Sequence, residues 1–169
     1  HVDPDGLLEF SVVFTDRSLN HMSASFKQVM IDISDMLKQV YCADAIAIVP
    51  GGGTFGMEAV ARQFGRDAKV MVVRNGWFSY RWSQIFEAGG FTSDTHVIKA
   101  RQSDNGAQAA FSPAPIDTVV AQIRADKPDV VFAPHVETSA GVILPDAYIT
   151  ALAAAAHEVG ALLVLGWIA

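Results

Sequence analysis

The sequence predicts an α/β fold, three-layered, with a mostly parallel sheet and helices on both faces. Two observations carry this. Short apolar runs rich in Val, Ile and Leu alternate with segments whose apolar residues recur at helical spacing. Gly, Pro and Asn punctuate the joins. Size is a third: 169 residues, 51% of them apolar, can bury one substantial core.

The elements follow in order. Residues 10–22 are irregular and belong to an N-terminal arm, 1–22, ahead of one incomplete large domain, 23–169. Ser23 can cap a helix in which Phe26, Val29, Met30, Ile33, Leu37 and Val40 recur at helical spacing, with Met30 and Met36 expected in the core. Residues 45–49 read as a buried strand, and 54–64 as a helix after a glycine loop. A second strand covers 68–74, a loop 75–79, and a helix 80–88 stopped by Gly89 and Gly90. Trp82 and Phe86, four apart, mark its core face. A third strand spans 96–100, followed by a long polar loop, 101–114. A helix at 116–124, a strand at 130–133 and a loop at 135–144 come next. Pro145 opens a helix running to about residue 158, and a fifth strand covers 161–165.

Composition excludes several classes. The 12 basic and 18 acidic residues give a net charge of −6 and form no block, so a nucleic-acid partner is not expected. The longest apolar stretch is broken by His157 and Glu158, so no membrane partner is expected either. Cys42 is the sole cysteine, which points to a reducing cytoplasm. His96, His157 and Cys42 share no metal-ligand spacing, and no metal site is expected. The start at His1 and the apolar end ALLVLGWIA read as a piece of a longer protein.

The stretch IVPGGGTFGMEAVARQF is the strongest chemical signal. Strand, glycines and helix in that order make an anion cradle: the backbone can approach closely, and the helix N-terminus favours negative charge. No Gly-Lys-Ser/Thr follows, so a triphosphate loop is excluded. Gly51, Gly53 and Gly56 fit G-x-G-x-x-G, and a nicotinamide-dinucleotide module stays open. That module wants an acid at the end of the next strand, where this chain has Arg74 and Asn75. A glycine turn that only packs helix on strand also stays open, as does a non-catalytic phosphate-binding domain.

Three loops fall at strand ends: GGGT, then NGWFSYRW, then HVETSAG. In that order they resemble the class V aminotransferases, fold-type-I pyridoxal-phosphate enzymes, in the alanine–glyoxylate and serine–glyoxylate branch. The likeness begins at NHMSASF and covers nearly the whole chain. It implies transfer of an amino group between an amino acid and a 2-oxo acid, with pyridoxal 5′-phosphate as cofactor, in a homodimer. It implies that Gly52, Gly53 and Thr54 hold the phosphate, that Phe78 stacks on the pyridine ring, and that Thr138 lies near the phenolic oxygen. Glu58 falls on a structural helix glutamate, and Arg81 on an arginine that braces the loop. His21 and His135 are further candidates at the site, and His135 also reads as an ordinary strand-end histidine. Glu137 and Ser139 are expected only to shape their loop.

The sequence departs from the pattern at its end. The family places an aspartate against the pyridine nitrogen after the fifth strand, where this chain has Gly166. The lysines are Lys27, Lys38, Lys69, Lys99 and Lys127, and none stands in the context of the Schiff-base lysine. The resemblance therefore implies that this chain is inactive alone. A truncated piece, an altered sequence near residue 166 and a non-catalytic relative are the three explanations, with a piece of an aminotransferase favoured.

Overall fold

The computed structural model describes residues 21–22 and 24–168. The expected arm otherwise lies outside them. The chain divides into two compact units, His1–Ile48 and Val49–Ala169.

In the first unit, helix α1 spans Ala24–Tyr41 and has no buried residue. The sequence expectation that Met30 and Met36 are core is corrected: Met36 is exposed and Met30 half-buried. Among the described residues of this unit α1 is the sole regular element, and a single helix cannot cover its own apolar stripe.

The second unit opens with α2 (Gly53–Phe64), β1 (Val70–Arg74), α3 (Trp77–Gly89) and β2 (Thr95–Lys99). A short hairpin follows, β3 (Arg101–Gln102) and β4 (Phe111–Ser112), inside the stretch expected to be loop. It continues with α4 (Ile116–Asp126), β5 (Val130–Glu137), β6 (Val142–Ile143), α5 (Asp146–Glu158) and β7 (Leu162–Ile168). The long strands pair in parallel in the order β2-β1-β5-β7, and β6 pairs antiparallel with the end of β5. The expected three-layer, mostly parallel α/β class is what the chain adopts.

Alternation along the strands feeds two cores. Val70, Val72, Val130 and Phe132 face α2 and α3, where Met57, Ala61, Trp82 and Phe86 are buried. Met71, Val73, Val131 and Ala133 face α4 and α5, where Val119, Ile123, Leu152 and Ala156 are buried. Strands covered on both faces must be apolar throughout, which is why these runs show no polar alternation. Phe132 anchors the first core, its ring 4.6 Å from that of Trp82 and 5.1 Å from that of Phe86. Burying an aromatic of this kind contributes about 2 kcal/mol.

Two expectations are corrected. Residues 45–49 form no strand. An extended segment needs a neighbour for its N–H and C=O groups, and among the described residues none pairs with this one. β5 and β7 run further than expected, to Glu137 and Ile168. Pro134 has no N–H to offer a neighbouring strand, and β5 absorbs it with a register shift between Pro134 and Val136.

β1 pairs with β5 only through Val72 and Phe132, after which the two diverge. β2 lies to one side of β1, while β5 and β7 lie to the other. The order therefore reverses between β1 and β5, and their carboxyl ends bound a crevice at a topological switch point, where such sheets bind ligands.

Candidate functional site

Two helix N-termini face this end of the sheet, and the chain treats them oppositely. At α3 the N-terminus is filled from within. Glu137, fully buried at the end of β5, accepts hydrogen bonds from the N–H of Phe78 (3.0 Å) and of Ser79 (2.9 Å). The Ser79 hydroxyl donates to Glu137 at 2.5 Å and accepts from the N–H of Asn75 (2.8 Å) and Gly76 (3.1 Å). Ser139 donates its hydroxyl to Glu137 at 2.6 Å and accepts from the N–H of Trp77 at 2.8 Å. The first three N–H groups of α3, which have no intrahelical acceptor, are thus all satisfied.

Burial pushes the Glu137 carboxyl up. The hydroxyls of Ser139 and Ser79 and the N–H groups of Ser79 and Phe78 outweigh this and hold it below the usual carboxylate range. This long-range cap explains why α3 starts at Trp77, ahead of the expected 80–88. The expectation that Glu137 and Ser139 shape their loop was too narrow, since they also build the start of another helix.

Gly76 is there for space. A Cβ on it would lie 2.5 Å from Ser139 Oγ and 2.7 Å from Glu137 Cδ, while its φ of 178° is ordinary extended backbone. Gly76→Ala should therefore cost about 2 kcal/mol through overpacking, read as a fall in the melting midpoint of the second unit.

At α2 the N-terminus is left open. Its cap is Gly52, with no side chain to accept a hydrogen bond. A Cβ built on Gly52 or on Gly53 would meet nothing within 4 Å. Gly51 has φ +124°, a backbone region that glycine adopts freely and L side chains rarely do. The Phe55 N–H turns back to the Gly52 carbonyl at 2.9 Å, and the N–H groups of Gly53 and Thr54 are left beside open space with the positive end of the helix dipole behind them. Thr54 Oγ1 accepts a hydrogen bond from Arg81 Nη1 at 3.1 Å, and the Arg81 guanidinium lies 4.9 Å from the Phe78 ring centroid. Arg81 thus ties the open helix end to the half-buried aromatic on α3. Glu58 pairs with Arg62 one turn along α2.

The remaining candidates are placed as follows. Thr138 is exposed and begins a 3-10 turn, Thr138–Ala140, directly after Glu137. His135 is half-buried in β5, its ring 5.8 Å from that of Trp167. His21 lies in the first unit and is described only with it. Gly166 lies in β7 opposite Pro134, and a Cβ there would sit 3.8 Å from Trp82 Nε1, in ordinary contact. The position has room for a side chain but holds none. Glu137 cannot stand in for the missing acid, because both of its oxygens are engaged at α3. Among the described residues, no helix is long and apolar enough to cross a membrane.

The fold, a mostly parallel sheet with helices on both faces, is shared with solved aminotransferases. The chain is 29% identical over 133 residues to a 2-aminoethylphosphonate–pyruvate transaminase from Pseudomonas putida, matching 77% of this chain and 32% of that protein. Its fold superposes on ureidoglycine–glyoxylate aminotransferase from Bacillus subtilis with a TM-score of 0.72 at 20% identity, covering 87% of this chain and 35% of the other. It superposes on alanine–glyoxylate aminotransferase from Nostoc sp. with a TM-score of 0.68 at 22% identity, covering 87% and 36%. No family model matches the sequence. The resemblance to class V aminotransferases read from the loops is borne out by these relatives. The chain spans about a third of the length of the curated relatives it matches.

Proposed function

We propose that the protein carrying this chain uses pyridoxal 5′-phosphate to move an amino group between an amino acid and a small 2-oxo acid. The observation that carries this is the contrast between the two helix ends. One is filled by the chain's own carboxylate, while the other is open and tied by Arg81 to Phe78. The relatives' names point to pyruvate or glyoxylate as the kind of acceptor.

When bound, the cofactor supplies an electron sink for the substrate's α-carbon. The chain's own part is to bind and orient. The N–H groups at Gly53 and Thr54, with Gly52 leaving room, would hold the phosphate dianion. Phe78 would offer its ring face to the pyridine. Arg81, beside both, adds positive charge near the phosphate and keeps Thr54 turned toward α3. Thr138 would donate its hydroxyl toward the phenolic oxygen. These residues fit the phosphate and the ring. At Gly166 there is no carboxylate to hold a proton on the ring nitrogen. A homodimer in the cytoplasm is part of the same proposal.

Gly166 also favours a second reading, a relative that holds the cofactor without using it. Reconstituting the full-length protein with pyridoxal phosphate separates the two. The transferase reading expects visible absorbance that shifts when an amino donor is added, and borohydride should then fix the cofactor to a lysine. Absorbance that ignores every donor, with no cofactor fixed, would select the second reading. A soluble protein that gains no absorbance would remove both.

A further inference from the structure

We propose a second ligand site, for a small organic oxyanion, where the carboxyl ends of β1 and β2 meet. Arg74 and Lys99 end these strands as register partners, so two cationic side chains start from adjacent positions. Between them and the start of α3 lies a cavity of about 320 Å³, bordered by Arg74, Asn75, Trp77, Tyr80, Lys99 and Phe111. No carboxylate borders it, and among the described residues neither cation is in a salt bridge. The Arg74 guanidinium lies 4.9 Å from the Tyr80 ring centroid, and its one hydrogen bond among the described residues, to Ser83 Oγ, is long at 3.5 Å. Most of its five donors remain uncommitted.

A lysine at a strand end is usually just solvated, and the pair alone would carry little. Asn75 decides the matter. It is 2% exposed, it borders the cavity, and neither its side-chain oxygen nor its nitrogen has a partner among the described residues. A buried amide left unpaired is costly, and a ligand accepting from its NH₂ group would remove the nitrogen's share of that cost. The chemistry selects an oxyanion, carboxylate or phosphate, held by Arg74, Lys99 and the Asn75 amide. Trp77 and Tyr80, with rings 5.8 Å apart, and Phe111 would meet the apolar body of the ligand. The site is separate from the α2 cradle: it uses side-chain cations rather than helix N–H groups, and it does not depend on pyridoxal phosphate. It adjoins Trp77, the neighbour of Phe78, so an occupant would stiffen the first turn of α3.

Calorimetric titration of the full-length protein, first saturated with pyridoxal phosphate so that the α2 cradle is filled, with acetate and with inorganic phosphate tests this. At least one probe should bind at millimolar concentration or tighter. Lys99→Gln, a change at an exposed side chain, and Arg74→Gln should each weaken it by about tenfold or more through loss of a charge-assisted hydrogen bond. Asn75→Asp, which sets a carboxylate at the cavity, should abolish it. Thr54→Val, at the other helix end, should leave it unchanged. Undiminished binding in Lys99→Gln and Arg74→Gln, loss of binding in Thr54→Val, or no binding of either probe to the unaltered protein would overturn the proposal.

Discussion

Glu137→Ala is expected to destabilise the second unit by about 3–5 kcal/mol. The carboxylate is fully buried and accepts from two N–H groups and two hydroxyls. Hydrogen bonds to a charged group contribute about 1.5–3 kcal/mol each, and every buried donor left unpaired adds its own desolvation cost. Glu137→Gln keeps the shape but turns an NH₂ group toward donors, and should cost about 2 kcal/mol. The pH dependence has a definite sign. The folded carboxyl sits below its ordinary range, so its contribution is complete above the unfolded value of about 4.3 and is lost as pH falls through the lower folded value. Denaturant melts between neutral pH and about pH 3 should show this acid-side loss for the native protein, with a smaller loss for Glu137→Gln. Equal midpoints for the two proteins at neutral pH would refute the capping role.

The second large effect separates binding from stability. Gly53→Asp should weaken pyridoxal phosphate binding by about a hundredfold or more, because a carboxylate in the cradle repels the phosphate and takes its donors. The same change should leave the fold intact or raise its stability by about 0.5–1 kcal/mol. Aspartate has better helix propensity than glycine and complements the dipole in the first turn, and the added side chain enters open space. Parallel measurement of cofactor affinity and melting midpoint distinguishes this from misfolding. A variant that melts higher and binds unchanged would show that the phosphate sits elsewhere.

How much was legible in the sequence follows from the range of the forces involved. Helical spacing and apolar runs report local burial, so α2, β1, β2, α4 and α5 emerge close to their observed bounds. Pro145 and Gly90 mark helix ends by chemistry that acts within a few residues, and both appear where expected. The start of α3 was not legible in this way. It depends on Glu137, 59 residues beyond Phe78 in the chain, and a cap supplied from that distance leaves no local mark. Residues 75–79 read as a loop, and nothing local shows that Gly76 is set by the volume of Glu137 and Ser139. Residues 45–49 have strand composition, but composition cannot supply a partner strand. Of the candidate site, the order of the loops placed Gly52, Gly53, Thr54, Phe78 and Thr138 at strand ends or helix starts of one unit, while the link that Arg81 makes between Thr54 and Phe78 has a distance only in the structure. The pairing of Arg74 with Lys99 needs the strand order, which no periodicity encodes.

In the proposed arrangement the open end of α2 holds the cofactor's phosphate while α3 is closed by Glu137. A crystal structure of the full-length protein with pyridoxal phosphate tests it most directly. Phosphate oxygens are expected within hydrogen-bonding distance of the Gly53 and Thr54 N–H groups, with the ring against Phe78 and Glu137 still bonded to Phe78 and Ser79. A phosphate seated at the start of α3 with Glu137 displaced, or between Arg74 and Lys99, would contradict it.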